Sequence, residues 1–361
     1  MARSNISQLL EKLENWDKDE RYMGTSDLCN ELQKDIKLDA SMEQRVCAAV
    51  LKRLDDTSND VQSKAISCIG ILLKKVQQGQ VHEICDKLCR LILEGSPELR
   101  DIYSIGLKTL VVDVPEEYGA GVAQRLLRPL LAGVNSPDEA IKLECLDILA
   151  DLLKRFGSYP QVSGMHEAAT AALLGQLNHE RKAVQKRVTA CLGAASVVLS
   201  DPLLNALVGQ LLASTQDGSK VDVCVLVTTI GQISRSVGHR MGRHLDSIVP
   251  LFSKFLGDPA DEDLHNESHH DLRETCLQGF EALVLSCPRE MEAHLSGVTA
   301  TAVTFMKYDP NYVGDASDDE DGMADDEDED EDDYDEDDDE GDDGDDDTSW
   351  KVRRAAVKVL S

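Results

Sequence analysis

The sequence predicts an all-α solenoid of antiparallel helix pairs, and three observations predict it. Apolar residues fall on one helical stripe, the stripe recurs about every forty residues, and a second amphipathic segment precedes each copy. The clearest copy is Asp138–Lys154, reading DEAIKLECLDILADLLK. With Ile141 as position 0, its apolar residues Cys145, Ile148, Leu149 and Leu152 take positions 4, 7, 8 and 11. At about 100° per residue, these five share an arc of roughly 100°, the width of a core-facing stripe.

Position 0 recurs at Glu20, Val61, Leu99, Ile141, Val184, Asp222, Leu272 and Val352. The steps are 41, 38, 42, 43, 38, 50 and 80 residues. Most lie near the ~40–47-residue period of HEAT and armadillo units. Position 8, the deepest of the stripe, is Leu28, Ile69, Leu107, Leu149, Leu192, Ile230, Phe280 and Leu360. The preceding segments are Ser7–Glu14, Met42–Leu54, Val81–Leu93, Val122–Val134, His166–Leu177, Pro202–Ala213, His244–Leu256 and Met291–Lys307. Two helices per unit is the HEAT pattern, so the expectation is a HEAT-repeat (armadillo-like) superhelical solenoid of about eight helix pairs. No pair buries its apolar face alone; stacking on neighbours supplies the core.

Taken in order, Met1–Leu38 is a polar capping unit with Trp16–Tyr22 as its turn. Asp39–Phe156 holds three regular units, with Pro97, Pro115 and Pro137 at boundaries, where a missing N–H does little harm. Gly157–Gly164 reads as a loop. Asp258–Asp271, DPADEDLHNESHHD, reads as a polar turn insertion that lengthens one step. Its His265, His269 and His270 beside Asp261, Glu262 and Asp263 resemble metal ligands only superficially.

Residues 1–308 are thus the array, 309–348 an acidic low-complexity insertion, and 349–361 the start of a further helix. Asp315–Asp347 carries 25 acids and no Lys or Arg. Such blocks repel themselves and are expected to stay disordered. Without these 33 residues the last step shrinks to 47, so the tract interrupts a repeat. It serves either to steer basic partners or only as a solvating loop. Val352, Ala356, Val359 and Leu360 lack a following neighbour, so more repeats are expected downstream.

Just after position 0 a long polar residue recurs: Arg21, Gln62, Arg100, Lys142, Gln185, Arg273, Arg353. Five residues before it an acid is common, as at Asp56, Glu94 and Glu267. The acid is expected to cap its helix or to meet the basic residue of a neighbouring unit. Recurrence in register favours this structural ladder over partner contact.

Composition excludes several functions. Net charge is −31, and outside the acidic tract 43 acids face 37 bases, so direct binding of duplex nucleic acid is not expected. No apolar run approaches the ~18–20 residues of a membrane span. The ten cysteines include no CxxC pair and many lie on the stripe, which reads as buried, reduced thiols in the cytoplasm or nucleus. There is no Gly-rich phosphate loop, nucleophile elbow or zinc signature, hence no enzyme, cofactor or metal. The candidate partner-binding residues are the most basic helix starts, Arg181, Lys182, Lys186 and Arg187, and Lys351, Arg353 and Arg354. The bland reading of such charge runs is a solvated face.

Several phrases together resemble the start of the cullin-associated, neddylation-dissociated proteins, also called TBP-interacting proteins. They are DKDERYMGTSDLCNELQKD (Asp17–Asp35), ELRDIYSIGLKTL (Glu98–Leu110), LECLDILADLL (Leu143–Leu153), GHRMGRHLDSIVP (Gly238–Pro250), KYDPNY (Lys307–Tyr312) and SWKVRRAA (Ser349–Ala356). An acidic insertion between the last two is similar to one in that family. The resemblance implies a HEAT protein, about three times longer, that wraps cullin–RING ubiquitin ligase cores lacking the ubiquitin-like modifier. It implies an N-terminal arm on the cullin C-terminal region and RING subunit, obstructing the modified lysine. A C-terminal arm would displace substrate-receptor adaptors and so promote SCF assembly by exchange. TATA-binding protein is implied as a further partner, and no catalytic residue is implied. This chain departs in lacking the C-terminal arm and in a longer His-rich segment. The competing reading is a nuclear-transport or histone-handling adaptor for basic cargo.

Overall fold

The computed structural model describes residues 2–215, 221–261, 264–310 and 348–361, and among them no strand occurs. The predicted pairs are all present. The first helices are α1 (Ala2–Lys12), α3 (Ala40–Arg53), α5 (Gln78–Glu94), α7 (Glu116–Val134), α10 (His166–Leu174), α12 (Asp201–Ala213), α14 (Leu245–Leu256) and α16 (Leu295–Met306). The second helices are α2 (Lys18–Gln33), α4 (Asn59–Leu72), α6 (Arg100–Asp113), α8 (Glu139–Phe156), α11 (Lys182–Val198), α13 (Val223–Val237), α15 (Glu267–Ser286) and α17 (Ser349–Leu360). The acidic tract, its expected disorder included, lies outside the described residues.

Each second helix turns the stripe from position 4 to position 11 onto its own first helix. Leu28, Ile69, Leu107, Leu149, Leu192, Ile230 and Phe280, all at position 8, are fully buried. Leu360 is the exception at 40% exposed. One apolar core runs the length of the array.

Second helices of successive units pack closely on one another, whereas α10, α12, α14 and α16 touch their counterparts little. The array therefore bends with the second helices inside. Small residues make this possible. On α13, a Cβ at Gly231 would lie 3.8 Å from both Ala282 Cβ and Gly279 Cα of α15, so the two backbones nearly touch. On α11, a Cβ at Gly193 would lie 3.0 Å from Gln232 and Ser236 of α13.

Several local expectations are corrected. Gly157–Gly164 is not all loop; Pro160–Ser163 forms a short helix, α9, with proline at its start, where no N–H is required. The first turn is shorter than Trp16–Tyr22, because the Asp17 side chain accepts from Asp19 N and starts α2 at once. The polar insertion ends earlier than Asp271, because Asn266 accepts from His269 N and caps α15. Cys29 and Cys68 are not free thiols but a disulfide between α2 and α4, their Cα atoms 5.2 Å apart. They lie 39 residues apart, beyond any CxxC pattern, and face each other only because the units stack.

The ladder of polar residues is structural. Arg21 Nε and Nη2 both donate to Asp56 of the next unit at 2.7 Å. Arg100 lies 3.3 Å from Asp138, and Lys142 donates to Gln176 at 2.7 Å. Gln62, Gln185, Arg273 and Arg353 instead donate to carbonyls of their own inter-helix loops. Burial pushes the Asp56 carboxyl up, but the hydrogen bonds from Arg21 and Ser58 N outweigh it and hold it below the usual range. Capping falls to Asp17, Asp138 and Asp222 rather than to the acids five residues before position 0. Glu94 belongs to the last turn of α5.

Candidate partner-binding surface

Opposite the core stripe, positions 2, 6 and 13 of each second helix point away from its own unit, toward the inside of the bend. This ridge is where the basic helix starts arrive. They separate into two kinds. Arg181 is engaged by Glu139 of the preceding unit at 2.9 Å. Arg187 lies 3.3 Å from Asp147 and 3.9 Å from Glu144, and Lys108 of α6 meets the same two acids at 3.2 and 3.7 Å. Ser104 also donates to Glu144. This network ties α6, α8 and α11 together, so Arg187 is largely a stacking residue. Lys182 and Lys186 are exposed and make no ion pair among the described residues.

These two lysines rim a groove of about 550 Å³ across α11, α13 and α15. Thr189, Ala190, Val225, Thr228 and Thr275 are among the small residues lining it, and Asp271 and Glu274 stand on the far side. Cys224 also lines it; burial pushes its thiol up to about 11, so it is not a thiolate nucleophile at neutral pH. A wide groove of small side chains with a cationic and an anionic rim suits a polypeptide surface.

On α17, Arg353 is taken up inside the repeat, donating to Tyr308 O and Ser349 Oγ at 2.9 Å each. Lys351 and Arg354 face α15. Burial pushes the Glu274 carboxyl up, while Lys351, Arg354 and Lys358 pull it back. The inner ridge is therefore acidic on α8, basic on α11, acidic on α15 and basic on α17. Sequence reasoning found the bases but missed Lys108, Glu144, Asp147 and Glu274. Their signal is a partner one period away, invisible to a scan for local charge runs.

The histidines are held by hydrogen bonds. His265 Nε2 pairs with Pro259 O, His269 Nδ1 with Asn266 Oδ1, and His270 bridges Tyr308 OH and Thr348 Oγ1 at 2.9 and 2.8 Å. Among the described residues no three His, Cys, Asp or Glu are grouped to hold a metal ion. Among them, too, no helix is long and apolar enough to cross a membrane.

Comparison with known proteins gives a consistent picture. No family model matches. Cullin-associated NEDD8-dissociated protein 2 of Mus musculus is 42% identical over 367 residues, covering 99% of this chain and 28% of that protein. Cullin-associated NEDD8-dissociated protein 1 of Drosophila melanogaster is 38% identical over 98% of this chain and 28% of that protein. The chain thus spans little more than a quarter of these relatives. In Emericella nidulans, a polypeptide described as the N-terminal part of such a protein is 23% identical over 71% of this chain and 85% of its own length. Among solved structures, importin beta superposes with a TM-score of 0.56 at 12% identity, over 84% of this chain and 39% of that one. Kap121p bound to Pho4p superposes with a TM-score of 0.55 at 15% identity, over 83% and 33%. At such identities the superpositions establish the HEAT-type solenoid and nothing about cargo.

Proposed function

The chain belongs to the cullin-associated NEDD8-dissociated family, whose N-terminal part it matches, and from that premise we propose that it is a non-catalytic arm that wraps an unmodified cullin–RING ligase core. Its partners are the cullin C-terminal region and the RING subunit. The arm obstructs attachment of NEDD8, and with a C-terminal arm it promotes substrate-receptor exchange. It acts in the cytoplasm and nucleus. The observation that carries this reading is the 42% identity sustained over 99% of the chain. The inner ridge supports it, because it carries both acids and bases and a long, shallow surface spreads affinity over many contacts rather than one pocket.

The test is capture of purified cullin–RING complex by the chain. Unmodified complex should be retained and NEDD8-modified complex should not. Equal retention of both, or none of either by a folded chain, contradicts the proposal. Retention of histones or basic cargo in place of cullin would favour a transport adaptor.

A further inference from the structure

After Trp16, the three most exposed large apolar side chains among the described residues are Leu285 at 71%, Val112 at 62% and Val197 at 54%. All three occupy position 13, on α15, α6 and α11. The unit before them and the units between them carry a cation at the same position: Lys74 after α4, Lys154 on α8 and Arg235 on α13. In the first unit position 13 is Gln33; from the second unit to the seventh it alternates: Lys74, Val112, Lys154, Val197, Arg235, Leu285.

The row is continuous, because the ends of successive second helices touch. Lys74 lies 3.4 Å from Asp113, next to Val112. Arg155, next to Lys154, donates to Val111 O. A Cβ at Gly157 would lie 2.9 Å from Val198. Arg240 donates to Val197 O at 3.4 Å, and Cys287 Sγ to Gly238 O at 3.1 Å. Lys74 and Lys154, themselves exposed, each have a half-buried acid nearby, the latter Asp151 at 3.7 Å. Pairs at such long distances with an exposed lysine are weak. Arg235 has no ion pair among the described residues.

We propose that this row is a docking strip for a partner α-helix whose exposed stripe alternates acidic and aliphatic residues every seven positions. Packed helices sit about 8–10 Å apart, which sets the spacing of the row. A helix presents same-face residues every seven positions, about 10.5 Å apart. An extended strand presents them about 6.7 or 13.4 Å apart and misses the register. Charge selects the occupant further: three cations require carboxylates, and three bare aliphatics require apolar side chains between them. The acidic tract of this chain supplies the first and almost none of the second, so the occupant is another protein.

The inference rests on the array being a binding surface, and its test uses no cullin, so the two readings fail separately. The probe is a synthetic helix of about 40 residues with Glu and Leu alternating every seven positions. Its partner is a control with the same composition in scrambled register. Binding to the full chain is read by fluorescence anisotropy, and contacts by carbodiimide crosslinking. The ordered helix should bind at least about tenfold more tightly than the scrambled one. The variant V112S/V197S/L285S should lose about tenfold, with its circular dichroism melt unchanged. Crosslinks should join probe carboxylates to Lys74 and Lys154. In the K74E/K154E/R235E chain, preference should switch to a probe with Lys in place of Glu. Equal binding of both helices, indifference to the variants, crosslinks from Lys74 and Lys154 to Asp315–Asp347 instead, or pairing of two copies through this row overturns the proposal.

Discussion

The two ends of the array use one register position differently. In the first half, the charged residue after position 0 reaches forward: Arg21 to Asp56, Arg100 to Asp138, Lys142 to Gln176. In the last two units it turns back. Arg273 donates to Leu256 O and Asp258 O, and Arg353 to Tyr308 O. Arg21 does both, because its Nη1 also donates to Asn15 O and Trp16 O of its own short loop. Where α14–α15 and α16–α17 are joined by long insertions, the cation anchors the loop, and coupling passes to close backbone approach at Gly231 and Gly279. A repeated residue is thus not a repeated role.

Substitutions at five positions break or sharpen this comparison. Arg273 is 1% exposed and stacks 4.8 Å from the Tyr308 ring. R273A should cost about 4 kcal/mol, leaving a cavity and two unpaired carbonyls. Hydrogen exchange should show protection lost across α14–α17 while α1–α6 keep theirs; uniform loss would contradict the division. Asp56, whose side chain is 2% exposed, should cost about 3 kcal/mol as D56A, because Arg21 and Arg53 lose their carboxylate. Its pKa is depressed, so its stabilisation is full above the unfolded value of about 3.9 and disappears as pH falls through the lower folded value. Acid titration by circular dichroism should therefore show wild type and D56N converging below about pH 4. An equal gap at all pH values would exclude the pair as the cause.

A Cβ at Gly279 would sit 2.5 Å from buried Phe252, whereas at Gly231 it meets nothing nearer than 3.8 Å. Urea unfolding should show G279A destabilised by about 2 kcal/mol and G231A far less affected. Equal effects would mean that contact with the Phe252 ring is not what requires glycine at 279. R181A should change stability by less than about 0.5 kcal/mol, because its pair with Glu139 is half exposed. A larger loss in thermal melts would place Arg181 with the coupling residues.

The fold was largely legible because helix pairing is written locally. Stripes at positions 0 to 11 located every pair, and Leu28 through Phe280 are buried as their spacing requires. What escaped depends on neighbours one period away. Nothing beside Cys29 announces Cys68, and nothing beside Arg187 announces Glu144 and Asp147. The run Glu180–Arg187 looked like one basic patch, yet stacking spends Arg181 and Arg187 on the preceding unit and leaves Lys182 and Lys186 open. The alternating row at position 13 was also present in the sequence. It lies outside the core stripe and becomes a row only when the second helices stand side by side.

The central claim is that the inner side of the array grips an unmodified cullin–RING core. Hydroxyl-radical footprinting of the chain, alone and with that complex, tests it most directly. Protection should concentrate on inner-ridge side chains such as Tyr22, Ile105, Val112, Val197 and Leu285. Outer first-helix residues such as Leu295 and Val303, both partly exposed, should be unchanged. Protection confined to the first helices, or absent at saturating complex, would contradict the account.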